Sequence, residues 1–257
     1  MIPKIIHYCW FGRNEKSKLL KKCMKSWKKL EKAGYKFIEW NEDNCDMQAN
    51  DFVKYCYENK KWGFLGDYFR FKNVYEMGGI YLDTDVLVYK SFDDLLDCDY
   101  FGGFIYDCAM STAIFGGAKG NSICKDLMDF WATTKEVPVS NGVVTDYFYE
   151  KVKGFKLNGK DQTIINEKGE KIHILPKEEF EAGKVIGKSH TLHFSDCCWA
   201  NIRKKFSAQV KLIAARLPIN FMAARKGRKA KRYLTKEGKF QTYYYKLLKE
   251  EKDNGAN

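Results

Sequence analysis

Asp83-Thr84-Asp85 closes the run Gly78-Gly79-Ile80-Tyr81-Leu82. In an extended segment, side chains two apart point to the same side, so both carboxylates are expected to converge at a strand's exit. Two like charges held by an otherwise apolar strand are costly unless a cation offsets them. Hard oxygen ligands select Mg²⁺ or Mn²⁺, and such ions commonly bridge to diphosphates. Open α/β sheets bind ligands beyond the carboxyl ends of their strands, where this pair is expected. A D-x-D by itself recurs by chance and can be a plain turn. A preceding helix, two glycines and a hydrophobic strand make it more specific.

The preceding helix carries Asp67 and Arg70, three apart, on one face with Phe71 and Val74. An acid and a guanidinium on an apolar stripe need a partner or a ligand. Arg suits phosphate oxygens, and Asp can accept from sugar hydroxyls. The alternative is an internal Asp–Arg salt bridge that supports the helix.

These groups need elements to hold them. Residues 2–10 read as a buried first strand and 15–33 as an amphipathic helix ending at Gly34. Residues 35–40 read as a strand, 51–58 and 64–77 as helices, and 80–88 as a strand. Strand and helix thus alternate over the first 90 residues, which predicts a mostly parallel sheet with helices on its faces. Strands over 100–106 and 110–115, a helix over 122–133, a polar hairpin or loop over 153–169, and late strands over 172–175 and 190–194 complete the reading. The domain expectation is a catalytic unit over 1–200, its halves meeting near residue 90, and a basic helical appendage over 201–257.

The chain has 257 residues and a formal charge of +12, which favours anionic partners such as phosphates, nucleic acid or an acidic membrane. Nine scattered cysteines without a C-x-x-C pair argue against a disulfide framework or thiolate zinc site and for reduced thiols. The N-terminal residues lack a signal-peptide pattern, and no 18-residue apolar run occurs. Between Arg203 and Arg232 stand eleven Lys/Arg and no acid, interleaved with apolar residues such as Phe206, Leu212, Ile219 and Phe221. That pattern suits an interfacial helix on an anionic membrane, although a solvated helix packed on the domain would read alike.

Leu65-Gly66-Asp67-Tyr68-Phe69-Arg70, followed by Tyr75-Glu76-Met77-Gly78-Gly79-Ile80-Tyr81-Leu82-Asp83-Thr84-Asp85, resembles the sugar-binding region of glycosyltransferase family 32. It is also similar to the catalytic domain of the large clostridial glucosylating toxins. Pro3-Lys4-Ile5-Ile6-His7-Tyr8-Cys9-Trp10-Phe11-Gly12 is similar to the family's first strand, so the resemblance spans about residues 2–90. It implies a GT-A fold: a Rossmann-like, mostly parallel sheet flanked by helices, with the D-x-D holding a metal-bound nucleoside diphosphate.

By that resemblance Trp10 stacks on the donor base and Asp67 holds sugar hydroxyls. Arg70 approaches sugar or phosphate, and Tyr81 lies along ribose or diphosphate. Asp83 contacts ribose, sugar and the metal's water shell, and Asp85 ligates Mn²⁺ or Mg²⁺. His7 matches the motif but is expected to orient the first strand. Ser111 to Ala118 resembles the strand near the transferred sugar and acceptor. His190 to Trp199 resembles the element that completes the metal and diphosphate site. Within it His193 is the candidate metal or phosphate ligand and Trp199 a nucleotide contact; His190 and Asp196 are weaker candidates. Cys198 stands where the family usually has Ser before Trp, which puts that diphosphate contact in doubt.

The expected activity is retaining, metal-dependent transfer of a sugar from a UDP- or GDP-sugar to a hydroxyl of a glycan or lipid-linked acceptor. The expected setting is bacterial surface polysaccharide assembly, in the cytoplasm at the inner face of the membrane, with no nucleic acid involved. Two other classes share some of these features. A metal-dependent phosphotransferase or nuclease could use Asp83 and Asp85, and a nucleic-acid-binding module could use the charge alone. Neither accounts for Asp67, Arg70, Gly78-Gly79 and Asp83 as one unit.

Overall fold

A computed structural model of the protein describes residues 1–181, 189–195, 246, 249, 250 and 253. Asp196, Cys198, Trp199 and the basic segment 203–232 lie outside the described residues.

Strand and helix alternate at first: β1 (Ile5–Cys9), α1 (Lys18–Ser26), α2 (Lys28–Lys32), β2 (Lys36–Trp40), α3 (Asp51–Glu58), α4 (Trp62–Met77) and β3 (Gly79–Leu82). The chain continues through β4 (Val86–Val88), a 3₁₀ turn (Asp93–Leu95), β5 (Tyr100–Tyr106), β6 (Ala109–Met110) and β7 (Ile114–Gly117). After these come α5 (Ser122–Thr133), α6 (Ser140–Lys151), β8 (Gln162–Ile165), β9 (Lys171–Leu175), α7 (Lys177–Phe180) and β10 (Thr191–His193).

Local chemistry sets several boundaries. The side chain of Asn50 accepts from Val53 N at 2.9 Å and starts α3. Asn121 caps α5 in the same way, accepting from Ile123 N and Cys124 N. Gly78, at φ 68°, ends α4 in a left-handed conformation that a side chain would disfavour.

The main sheet has the order β2-β1-β3-β7-β5-β9-β8, with β6 paired to β5. β1 is parallel to β2 and β3, and β5 is parallel to β9. β7 lies antiparallel between β3 and β5, and β8 and β6 are antiparallel additions. Strands β2, β1, β3, β5 and β9 therefore run one way, as the alternating pattern predicts for a mostly parallel sheet. A separate ladder joins β4 and β10 antiparallel, with His193 opposite Val86.

Each face of the sheet has its own core. Phe69, Phe71, Tyr81, Phe115, Trp131 and Phe148 pack with the layer of α3 to α6. Ile6, Trp27, Ile80, Leu82, Phe101 and Phe180 pack on the opposite face. The pleat of β3 divides its side chains accordingly: Ile80 and Leu82 go to one core, and Tyr81 goes to the core that contains α4.

Three expected elements are interrupted. The helix over 15–33 breaks at Trp27, whose indole donates to Val86 O at 2.9 Å. The strand over 110–115 breaks at Ser111–Ala113. The strand over 80–88 ends at Leu82, and Asp83-Thr84-Asp85 forms a turn closed by Val86 N donating to Asp83 O at 3.1 Å. The carboxylates thus converge through a turn and not through strand alternation. Asp and Thr favour that outcome because their side chains offer the backbone alternatives to a ladder. The helix α6 was not anticipated; Gly142 and the β-branched Val143, Val144 and Thr145 weaken its helical signal.

Candidate active site

The site lies where β1 and β3 end. Two glycines let these strands approach. A Cβ on Gly79 would stand 2.6 Å from Ile5 O and 2.8 Å from His7 Nε2. His7 uses this closeness: its Nε2–H donates to Gly78 O at 2.8 Å, and its Nδ1 accepts from Trp40 Nε1 at 3.1 Å. Burial lowers its pKa, with the Gly78 contact opposing. His7 therefore orients the first strand, as its sequence context suggests.

Arg70 donates to several groups of the site. Its Nε donates to Gly66 O at 3.0 Å and its Nη1 to Thr112 O at 2.6 Å. Its Nη2 pairs with Asp67 Oδ1 at 3.0 Å, and its Nη1 stands 3.7 Å from Asp83 Oδ1. The guanidinium carbon lies 4.7 Å from the centre of the Tyr81 ring. Burial works against the charge, but Tyr81, Asp83 and Asp67 outweigh it and the pKa is raised. The internal salt bridge considered from sequence is thus present, and it lies beside the acidic turn.

Asp67 is buried, and desolvation lifts its pKa to about 6, with Arg70 and a hydrogen bond from Ser140 opposing. Asp83 keeps part of its side chain open to solvent and accepts from the Tyr81 hydroxyl at 2.9 Å. Its pKa is raised by desolvation and by Asp85, with Arg70 and His193 pulling it down. Tyr81 itself is buried and stacks on Phe115.

His193 reaches this corner through the β4–β10 ladder. Its Nε2 is 3.2 Å from Asp85 Oδ1, and its Nδ1 is 2.8 Å from Glu181 Oε2. Burial alone would lower its pKa, but Glu181 and Asp85 hold it up at about 10. Ligand atoms of Asp83, Asp85 and His193 all lie within 4.8 Å of one another. Two carboxylates and an imidazole suit a divalent cation of intermediate hardness. His190 does not join them: its ring nitrogens go to Glu179 at 3.0 Å and Asp94 at 2.8 Å.

Residues 111–113 tie these groups together. The Ser111 hydroxyl donates to Glu181, Thr112 O accepts from Arg70, and Ala113 O accepts from Asp83 N at 2.8 Å. The Thr112 hydroxyl also meets Ser140 Oγ at 3.1 Å. Sequence reasoning placed this segment near the substrate but missed its scaffolding role, and it missed Glu181 and Ser140. Glu181 sits in the polar run Lys177-Glu178-Glu179-Phe180-Glu181, where nothing distinguishes it from solvated neighbours.

Trp10 stands at the exit of β1, its N donating to Trp40 O at 2.9 Å. It lines an open cleft of about 400 Å³ with Arg13, Asn14, Lys16, Glu39 and Glu42. Lys16 Nζ lies 5.0 Å from the centre of the Trp10 ring.

Residues 17–101, which include Asp67, Arg70 and the D-x-D, match the family described as glycosyltransferase sugar-binding region containing DXD motif. The chain carries a glycosyltransferase sugar-binding region. It is a transferase enzyme on that ground, with Asp83-Thr84-Asp85 as the motif. None of the curated proteins matches it in sequence. Among solved structures it is similar to the PaToxG glycosyltransferase, at 18% identity and TM-score 0.45, over 60% of this chain and 70% of that one. It is also similar to a glycosyltransferase involved in the glycosylation of the major capsid of PBCV-1, at 12% identity and TM-score 0.44, over 83% of this chain and 98% of that one.

Proposed function

We propose that the enzyme transfers a sugar, with retention of configuration, from a UDP- or GDP-sugar to a hydroxyl of a glycan or lipid-linked acceptor. The reaction depends on Mn²⁺ or Mg²⁺. The observation that carries this reading is the convergence of Asp83, Asp85 and His193 beside the buried Asp67–Arg70 pair. Both lie at the strand exits, where α/β sheets bind ligands.

Asp83, Asp85 and His193 would hold the cation, and the imidazole favours Mn²⁺ over the all-oxygen preference of Mg²⁺. A bound divalent cation supplies charge neutralisation at the leaving diphosphate. The protein's own side chains do the rest. Asp67 accepts from sugar hydroxyls and fixes the ring for attack. Arg70 holds Asp67 and Asp83 in register and adds positive potential next to the diphosphate. Tyr81 fixes Asp83 through its hydroxyl. Trp10 gives the base a stacking face at the open cleft. Trp199 is assigned to the nucleotide from the sequence resemblance, as is retention.

The biological setting that fits is bacterial capsule, lipopolysaccharide or exopolysaccharide assembly. Residues 1–200 would form the catalytic unit, and the basic 201–257 extension would hold it peripherally at the inner leaflet, near a lipid-linked acceptor. No described helix is long and apolar enough to cross a membrane. Deleting 203–257 should abolish co-sedimentation with anionic liposomes; unchanged binding removes the membrane assignment.

The activity is tested with a panel of UDP- and GDP-sugars, each with and without Mn²⁺, on wild type and Asp85→Ala. One donor should be hydrolysed or transferred only with metal, and Asp85→Ala should lower that rate at least about 100-fold. Turnover that is indifferent to both metal and Asp85 sinks the reading.

A further inference from the structure

Glu181 is a fully buried carboxylate with no direct place in the proposed chemistry. Its two oxygens go to different elements. Oε2 meets His193 Nδ1 at 2.8 Å, and Oε1 accepts from the Ser111 hydroxyl. Ser111 is itself held, its N donating to Gly103 O at 2.8 Å and its Oγ accepting from Ala113 N at 3.2 Å. The carboxylate therefore clamps the imidazole against the same 111–113 segment that binds Arg70 and Asp83.

Burying a carboxylate is expensive unless every lone pair is used for something. Here the use is directional. An imidazole whose Nδ1–H is spent on a carboxylate has only Nε2 left to offer, and Nε2 is the atom facing Asp85 Oδ1 at 3.2 Å. Metal-binding histidines commonly need such a partner to fix tautomer and ring plane.

We infer that Glu181 is a positioning residue: anchored by Ser111, it fixes His193 with Nε2 aimed into the Asp83–Asp85 corner and so sets the affinity of that corner for a divalent cation. This rests on the metal reading above and deepens it. In this role Glu181 contacts neither donor nor acceptor, and it acts on the cation through His193.

The test is a Mn²⁺ titration of the full chain at one fixed pH, with and without UDP or GDP. Binding is followed by the free-ion electron paramagnetic resonance signal, and ¹⁴N modulation of bound Mn²⁺ reports imidazole ligation. Glu181→Gln keeps the shape and removes the charge. It should weaken Mn²⁺ binding about tenfold or more, within the ~10–100-fold range of such partners, and reduce the ¹⁴N signature. In a His193→Ala background the same substitution should cost no more than about twofold, because the route is gone. If Glu181→Gln does not fold, Ser111→Ala frees the other oxygen and should give a smaller loss that also vanishes in His193→Ala. Two results overturn this inference alone: wild type and Glu181→Gln binding Mn²⁺ alike, or equal losses in both backgrounds. A wild type that binds no Mn²⁺ overturns the metal reading, and this inference with it.

Discussion

The guanidinium of Arg70 covers the ring of Tyr81, and its Nη1 donates to the carbonyl of Thr112 at 2.6 Å. This one side chain joins α4, β3 and the 111–113 segment, and these elements hold Asp67 and Asp83.

Removing Arg70 should therefore cost stability as well as activity. Arg70→Met strips the buried Asp67 of its ion-pair partner and Thr112 O of its donor, so unfolding in urea at pH 7 should show a loss of about 3–5 kcal/mol. Arg70→Lys keeps a charge but cannot reach Gly66 O, Thr112 O and Asp67 together, and should recover only part of the loss. A loss below ~1 kcal/mol in Arg70→Met would mean the guanidinium is free for substrate and not built into the frame.

Gly79 sits at φ 122° with backbone and the His7 ring within 3 Å of where a Cβ would be. Gly79→Ala combines a disfavoured backbone with a clash against Ile5 O, which is main chain and cannot swing aside. Denaturant unfolding should show a loss of at least about 2 kcal/mol. The His7–Gly78 bond should weaken with it, which the chemical shift of the His7 ring can follow. A fully stable Gly79→Ala would contradict the strand packing described above.

The architecture was legible where one physical signal dominates. The helical spacing over 51–58 matches α3 to the residue, and the helix read over 122–133 matches α5. Asp67, Arg70, Asp83 and Asp85 were readable because charged groups on apolar elements stand out. Less legible was whatever depends on chain segments meeting from afar. Nothing in Lys177 to Glu181 marks Glu181 as the fully buried acid. Nothing local to Ser111-Thr112-Ala113 says that two carbonyls and a hydroxyl there hold the site. The turn at Asp83 was masked because Ile80 to Val88 reads as one strand. Only the β10 partner, pairing from residue 191 onward, shows that Val86 starts a second ladder.

His193 gives the metal-free protein a pH dependence whose sign follows from its partners. Its pKa rises from 6.5 to about 10 on folding because Glu181 and Asp85 favour the imidazolium. That contribution to stability is complete below pH 6.5 and is lost as pH rises toward 10. With a chelator present, the gap in melting temperature between wild type and His193→Gln should be widest near pH 6 and should shrink steadily up to pH 10. A gap that is constant over this range, or that widens with pH, would show that the two carboxylates do not hold the imidazole charged.

Trp10 separates binding from chemistry in the proposed reaction. It lies at the cleft, apart from the Asp83, Asp85 and His193 cluster, so it can contribute a stacking face without touching the sugar. Base–aromatic stacking is worth about 1–3 kcal/mol, which corresponds to roughly 5- to 150-fold in affinity. Stacking on the base is present both before and during transfer, so its loss should raise the donor KM and leave kcat nearly unchanged. Trp10→Ala should show that split, Trp10→Phe should restore most of the affinity, and the Mn²⁺ affinity without nucleotide should not move. A fall in kcat at saturating donor, with KM unaltered, would place the tryptophan in the catalytic step and move the base to another part of the surface.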